Sequence, residues 1–241
     1  MIKSYFAQPF RIIRNESISD NFFFLEGHSL WKSDLDFRPG QYLMIDSIVE
    51  GNYLRRSYSP FKTEFNQVGI LIQGNFGGVF SSYLRSEKVG NVIRISAPTG
   101  KDKSLPVGAE KIAVLVFDSG ISFALNLLSY GKTNFPFQIY WQSDIVKKAE
   151  SEIIRNKFLP QESLIFSEDI FELFQFLKSD LERNTVYYLA GNGQKISFFD
   201  KILRSLGITT DSIIKEIYFN HNIEPKQFWL EMIDISIGKT K

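Results

Sequence analysis

A small antiparallel β barrel followed by a parallel-sheet α/β domain is the fold class this sequence predicts, and two rhythms along the chain predict it. From residue 5 to residue 100, brief segments rich in Ile, Val, Phe, Tyr and Leu alternate with Gly, Pro, Asn and Asp, the pattern of short strands and tight turns. Beyond about residue 105, near-continuous apolar strands alternate with helical stretches, which indicates a parallel sheet with helices on both faces. Between the two, Pro98, Gly100, Pro106 and Gly108 punctuate the charged stretch Lys101-Asp102-Lys103. The expected organisation is a barrel over 1–105, an α/β domain over 106–220 and a tail over 221–241.

In the first part, strands are expected at 8–14, 21–26, 41–46, 55–59, 68–73 and 91–96. One helix interrupts them. Val79–Ser86 follows Gly77-Gly78 and carries Phe80, Tyr83 and Leu84 at i, i+3, i+4 spacing, a single apolar stripe. In the second part, strands at 111–117, 137–142, 163–167, 185–190 and 215–219 alternate with helices at 120–130, 145–157, 169–181 and 193–206. Ligands of such sheets sit outside the carboxyl ends of the strands. In the tail, Phe228, Trp229, Met232 and Ile233 recur at roughly helical spacing, so it is expected to dock on the protein; a partner-binding helix is the other reading.

Composition excludes several classes of function. A chain of 241 residues with 44% hydrophobic and 23% charged residues can bury a substantial core, which rules out general disorder. Its 28 basic and 27 acidic side chains leave +1, so no global field favours nucleic acid or anionic lipid. With no cysteine there is no disulfide framework, thiolate metal site, catalytic thiol or cysteine-ligated iron–sulfur cluster. The two histidines, His28 and His221, lie too far apart in sequence to form a metal-binding spacing. The segment Met1–Phe6 lacks the apolar run of a signal peptide, and no run approaches the ~20 residues that span a bilayer. A cytoplasmic location with no nucleic-acid partner is the expectation; oligomeric state is not legible.

The residues that carry chemistry cluster in the first part. A glycine-rich turn feeding a helix at Gly78, Val79, Phe80 and Ser81 exposes backbone N–H groups and a positive dipole end to an anion, and the Ser81 hydroxyl adds a donor. Arg56 offers a planar fork for a second phosphate contact. Strand alternation puts Tyr58 on the face of Arg56 and Ser59 on the other. A tyrosine beside a phosphate clamp can stack on a planar ring. The competing reading is a surface ion pair for Arg56 and ordinary barrel filling for Tyr58.

These motifs resemble those of the ferredoxin–NADP reductase-like flavoproteins, in particular the small single-chain NAD(P)H flavin reductases. Arg56, Tyr58 and Ser59 match the family's R-x-Y-[ST] motif, and Gly78 and Ser81 its G-x-x-S motif. Arg38-Pro39-Gly40-Gln41-Tyr42 and Pro98-Thr99-Gly100 lie in the family's order around them. The resemblance implies an FAD-binding Greek-key barrel followed by a Rossmann-like nucleotide-binding domain. By it Arg56 pairs with the flavin pyrophosphate or ribityl chain, Tyr58 stacks on the isoalloxazine and Ser59 bonds near N5. The backbone of Ile72 and Gln73 meets the pyrimidine edge, and Gly78 to Ser81 hold the pyrophosphate. Tyr58 and Ser59 are thus the expected catalytic pair.

The second part departs from the family where a nicotinamide dinucleotide is expected. Gly120-Ile121-Ser122 survive of the first turn, but Asp118 brings a carboxylate to a place meant for a diphosphate and Ser119 carries a Cβ where glycine gives closest approach. The family's proline there is Phe123. Tyr187-Tyr188-Leu189-Ala190-Gly191-Asn192 resembles the later Y-x-[CA]-G-P turn, with Gly191 kept and the proline replaced by Asn192. Lys147 and Lys148 read as a solvated helix face or as contacts to a 2′-phosphate. Phe219, ending the last strand, reads as a shield of the flavin ring or as a buried aromatic. The expected function is an FAD-dependent oxidoreductase taking hydride from NADH or NADPH and passing electrons to a small-molecule or protein acceptor. The alternative is a flavin-binding electron-transfer or sensory subunit with a degenerate donor site.

Overall fold

The computed structural model describes residues 8–31, 35–63, 67–74, 78–104, 109–130, 136–159, 163–182 and 184–219. The expectations for Met1–Phe6, Gly77, Pro106, Gly108 and the 221–241 tail fall outside them. The chain divides into two compact units. Unit 1 takes 1–104, 122–132 and 149–159, and unit 2 takes 105–121, 133–148 and 160–241. The first break thus falls between residues 104 and 105, and segments 122–132 and 149–159 fold with unit 1.

Unit 1 is built on β1 (Gln8–Ser17), β2 (Phe22–Ser29), β3 (Leu43–Val49), β4 (Asn52–Tyr58), β5 (Phe61–Lys62), β6 (Val68–Gln73) and β7 (Val92–Ile95), with helix α1 (Val79–Ser86) after β6. All pairings are antiparallel and the order is β4-β3-β7-β1-β2-β6-β5, with β7 inserted between β3 and β1 in Greek-key fashion. The two edge strands, β4 and β5, are separated only by Ser59 and Pro60. The three Cα–Cα steps from Tyr58 to Phe61 reach only about 11 Å when extended, so the sheet must curl until its edges approach, as a barrel does. Phe10, Phe23, Leu25, Ile45, Ile70, Ile72 and Ile95 fill the interior with Phe80 and Leu84 of α1. That helix packs against β1 and β3, and Asn15 of β1 caps its last turn by donating from Nδ2 to the Leu84 and Glu87 carbonyls at 2.9 and 2.8 Å.

The β3–β4 hairpin is longer than the sequence suggested. Strands were expected to stop at 46 and resume at 55, yet pairing runs from Leu43↔Tyr58 to Val49↔Asn52 around Glu50-Gly51. Both turn residues have positive φ, 50° and 77°, as a two-residue type I′ turn requires. Glutamate is a poor residue for that conformation, which is why the turn carried no sequence signal. On the other side of the barrel, segment 149–159 covers the outer face of β2. Phe158 meets the rings of Phe24 and Phe61 at 5.1 and 5.9 Å, and Glu150 accepts from Asn21 Nδ2 at 2.6 Å. That cover explains why Phe24 is buried as completely as the inward-facing Phe23 and Leu25.

Unit 2 is a parallel sheet of β8 (Lys111–Phe117), β9 (Phe137–Gln142), β10 (Leu164–Ser167), β11 (Thr185–Asn192) and β12 (Ile213–Phe219), in the order β10-β9-β8-β11-β12. Helices α2 (Ile121–Ser129), α3 (Lys148–Phe158), α4 (Ile170–Ser179) and α5 (Gly193–Ser205) follow its first four strands. The order runs outward in one direction through β8, β9 and β10 and in the other through β11 and β12, so the reversal lies between β8 and β11. Leu115, Phe117, Tyr140 and Leu189 pack with Phe174 of α4 and Phe198, Phe199 and Ile202 of α5 to form its core. No helix among the described residues is long and apolar enough to cross a membrane.

Candidate functional site

Two sets of residues, one in each unit, correspond to the sites expected from sequence. In unit 1 the set lies on β4, the closure after it, β6 and the start of α1. Fully buried Asn126 pins that closure: its Nδ2 donates to the Pro60 carbonyl at 2.6 Å and its Oδ1 accepts from Gly40 N–H at 2.9 Å. Gly40 sits at φ 82° under the aliphatic chain of Lys103, where a Cβ would lie 2.7 Å from Lys103 Cγ. Tyr42 and Thr99 exchange backbone hydrogen bonds at 2.8 and 2.9 Å. The Arg38–Tyr42 and Pro98–Gly100 stretches are therefore two sides of one structural clasp that holds the start of β3 and the closure in register.

On β4, Arg56 is exposed opposite Ile45. Its Nη1 donates to the Arg55 carbonyl at 2.8 Å, and among the described residues no carboxylate pairs with it. Arg55, its neighbour, is instead committed to buried Asp46 at 2.7 Å, which also accepts from Tyr53 at 2.9 Å. The surface ion-pair reading belongs to Arg55, and the Arg56 fork remains available to an anion. Tyr58 is half-buried and packs on the barrel core. Burial pushes its phenol far above the ordinary value of 10, against a smaller opposing pull from the Arg56 charge. It is a neutral ring at any physiological pH, fit to stack but not to exchange a proton. Ser59 is buried in the closure itself.

The β5–β6 pairing sets Phe61 across from Gly69 and Lys62 across from Val68. Ile72 points into the core, whereas the Gln73 side chain ends in a buried Nε2 with no hydrogen-bond partner among the described residues. After β6 the chain reaches α1. Gly78, extended at φ −65° and ψ 109°, is its N-cap; among the described residues no side chain caps the helix, and no acid lies in its first turn. The N–H groups of Val79, Phe80 and Ser81 are those an α-helix leaves without intrahelical partners. Phe80 anchors the turn in the core while Val79 is exposed. Ser81 Oγ donates back to the Gly78 carbonyl at 2.9 Å, and a Cβ on Gly78 would lie 2.9 Å from that hydroxyl. An open helix end and a guanidinium that no carboxylate claims among the described residues each suit a phosphate, and a neutral aromatic ring suits a planar heterocycle.

In unit 2 the carboxyl edge of the sheet is occupied by its own side chains. Asp118 lies in a 3-10 turn after β8 with φ 55°. Its carbonyl accepts from Trp141 Nε1 at 3.0 Å, and its carboxylate accepts from Ser143 Oγ at 3.0 Å and Lys195 Nζ at 3.2 Å. Lys195, with a side chain only 4% exposed, also meets Asp144 at 3.0 Å. Asn192 caps α5, accepting from Gln194 and Lys195 N–H at 3.0 and 3.3 Å.

The glycines of the two expected nucleotide turns have a reason inside the sheet. A Cβ on Gly120 would lie 2.2 Å from the Ala190 carbonyl oxygen, and one on Gly191, at φ 118°, would lie 2.1 Å from that of Phe117. Ile121 is fully buried, and Ser122 spends its hydroxyl on the Leu71 carbonyl of β6 at 3.1 Å, inside unit 1. Lys147 pairs with Glu168 at 2.8 Å. Phe219 ends β12 opposite Asn192, and its side chain lies outside the description. Sequence reasoning missed Lys195, Ser143 and Asn126. A signal existed for Lys195: a cation three residues past an N-cap opposes the helix dipole unless an anion is fixed nearby.

Tyr58 and Tyr140 give a pH prediction. Tyr140 is raised by burial and by its hydrogen bond to Asp180, in the same direction as Tyr58. A phenol whose folded value exceeds its unfolded one contributes its full stability below the unfolded value of 10 and loses it as pH climbs toward the folded value. In a phenolate absorbance titration these two rings are expected to stay protonated past pH 10 and to ionise together with unfolding. Ionisation of every tyrosine near pH 10 with near-ultraviolet circular dichroism unchanged contradicts the assigned burial.

Comparison with known proteins follows the same division. Residues 9–103 match the family model of the oxidoreductase FAD-binding domain. No curated protein sequence matches the chain. Among solved structures, a flavohemoglobin from Malassezia yamatoensis with bound FAD and heme superposes with a TM-score of 0.71 at 17% identity, over 88% of this chain and 60% of that one. This chain therefore spans about three fifths of that protein. A ferredoxin NADP+ reductase from Neisseria gonorrhoeae with bound FAD and NADP gives 0.70 at 15% identity, over 88% and 99% of the two chains. The FAD/NAD binding domain of a nitric oxide dioxygenase from Vibrio cholerae gives 0.68 at 17% identity, over 88% and 98%. At these identities the likeness is one of fold.

Proposed function

We propose, for a chain with the ferredoxin–NADP reductase-like flavoprotein fold whose residues 9–103 match the oxidoreductase FAD-binding domain, an FAD-dependent oxidoreductase that takes hydride from NADH or NADPH and passes electrons to an external acceptor. The observation that carries FAD is the uncapped start of α1 at Gly78 together with an Arg56 guanidinium that no described carboxylate claims. Arg56 and the Val79–Ser81 N–H groups hold the diphosphate, Ser81 by turning its hydroxyl from the Gly78 carbonyl. Tyr58 supplies a flat neutral face, and Ser59 a hydroxyl on the side of the closure. The orphaned Gln73 Nε2 suits a heterocycle carbonyl at the end of β6. FAD, when bound, supplies the hydride and electron chemistry, and the protein supplies orientation and exclusion of water. Free flavin, a ferric chelate or a redox protein are the acceptors that fit this reading.

One observation favours a second reading, a flavin-binding electron-transfer or sensory subunit without a donor site: the ion pair of Asp118 and Lys195 at the carboxyl edge of unit 2. Anaerobic stopped-flow absorbance of the FAD-loaded protein, mixed separately with NADH and NADPH, decides between them. Rapid bleaching of the oxidised flavin band with either donor is expected of the oxidoreductase and names its donor. A band that persists with both, at stoichiometric FAD, assigns the second reading.

A further inference from the structure

The reversal point of a parallel sheet is where its crevice opens, and here it carries an arrangement with no evident need for a ligand's charge. Lys195 lies in the first turn of α5, against the positive end of the helix dipole, and is nearly inaccessible to water. A buried ammonium needs a fixed counter-charge. Asp118 provides it from across the reversal point, at 3.2 Å, beside the largely exposed carboxylate of Asp144 at 3.0 Å. To reach there it holds a positive φ that costs a non-glycine residue energy, and Trp141 and Ser143 secure its carbonyl and carboxylate. Asn192 Oδ1 meanwhile takes two of the α5 N–H groups that an incoming anion would use. The Lys195 ammonium and the N–H groups of Gln194 and Lys195, which could greet a phosphate, already face oxygens of the protein.

We infer that Asp118 is a specificity-determining residue that stands in for a ligand phosphate: its carboxylate neutralises Lys195, excludes a dinucleotide's diphosphate from the 118–120 turn and leaves Lys195 as a latent anion site. The inference rests on the proposed reading only in taking this edge as the donor side. FAD binding is carried by other residues. A pyridine nucleotide that reduces the flavin must then be held without a diphosphate contact at this turn. The surviving glycines serve the close approach of the ends of β8 and β11.

The test uses the full chain loaded with FAD and isothermal titration with inorganic pyrophosphate. Asp118→Asn keeps the size and the Ser143 hydrogen bond but removes the charge. It is expected to bind pyrophosphate at least tenfold more tightly than the parent, and the double variant Asp118→Asn, Lys195→Met is expected to lose that gain. No gain in Asp118→Asn, with bound FAD and melting temperature retained, overturns the inference. So does a gain that survives the loss of Lys195. Should Asp118→Asn fail to fold, Lys195→Met alone decides: pyrophosphate affinity unchanged from the parent sustains the inference, and affinity that falls with Lys195 shows the site already open. Because none of these readouts involves reduction of the flavin, failure here is distinct from failure of the proposed function, which would show as absent FAD or absent bleaching.

Discussion

Replacing Gly191 by alanine is expected to destabilise the fold by about 4 kcal/mol or more, among the larger effects a single methyl can have. Two causes add. At φ 118° the backbone lies in a region that L side chains seldom adopt, which costs on the order of 1–2 kcal/mol. The new Cβ would also fall 2.1 Å from the Phe117 carbonyl oxygen, so the ends of β8 and β11 must part, at the expense of a core in which Phe117 and Leu189 are fully buried. Urea unfolding followed by circular dichroism checks it. A variant with the parental midpoint means that the glycine serves only the approach of a ligand, as its place in the turn suggested from sequence. A midpoint that collapses while the barrel's response to FAD persists places the requirement in the sheet.

That contrast shows what a sequence can and cannot disclose about this molecule. Helix Val79–Ser86 and strands 68–73, 111–117 and 137–142 were legible because their signals are local: apolar periodicity bounded by glycine, proline or asparagine. The closure of the barrel was not, because Asn126 meets Pro60 and Gly40 across 66 and 86 residues of chain, and nothing near an asparagine in an apolar helix says which backbone groups it will satisfy. The two-residue strand β5 is too short for a periodicity, and the Glu50-Gly51 turn uses a residue poorly suited to positive φ. At the nucleotide edge, Asp118 was visible as an anomaly. Its partner carried only the faint signal of a cation in a first helical turn, because a lysine in an amphipathic helix otherwise reads as a solvated face until a fold brings a carboxylate to it. At Gly120 and Gly191 a close approach was legible, but not that the neighbouring strand makes one there.

Replacing Arg56 by alanine is expected to weaken FAD binding roughly tenfold to a hundredfold, by removing a charge-assisted, two-pronged hydrogen bond worth on the order of 1.5–3 kcal/mol. The apo protein should lose little, since Arg56 is exposed, donates only to its neighbour's carbonyl and pairs with no carboxylate among the described residues. Lysine at the same position restores the charge without the planar fork, so its affinity should fall between the two. Arg55→Ala gives the opposite signature: it strips buried Asp46 of a 2.7 Å partner and should lower stability, with any change in FAD affinity secondary to that. Fluorescence titration of FAD against the apo forms, beside their melting temperatures, separates the cases. If Arg56→Ala binds FAD as tightly as the parent, the diphosphate is not held at this edge of the barrel, and the open end of α1 must act with some other cation. If affinity falls while stability stays, two adjacent arginines on one strand have divided the work, one neutralising a buried carboxylate of the fold and the other holding the cofactor.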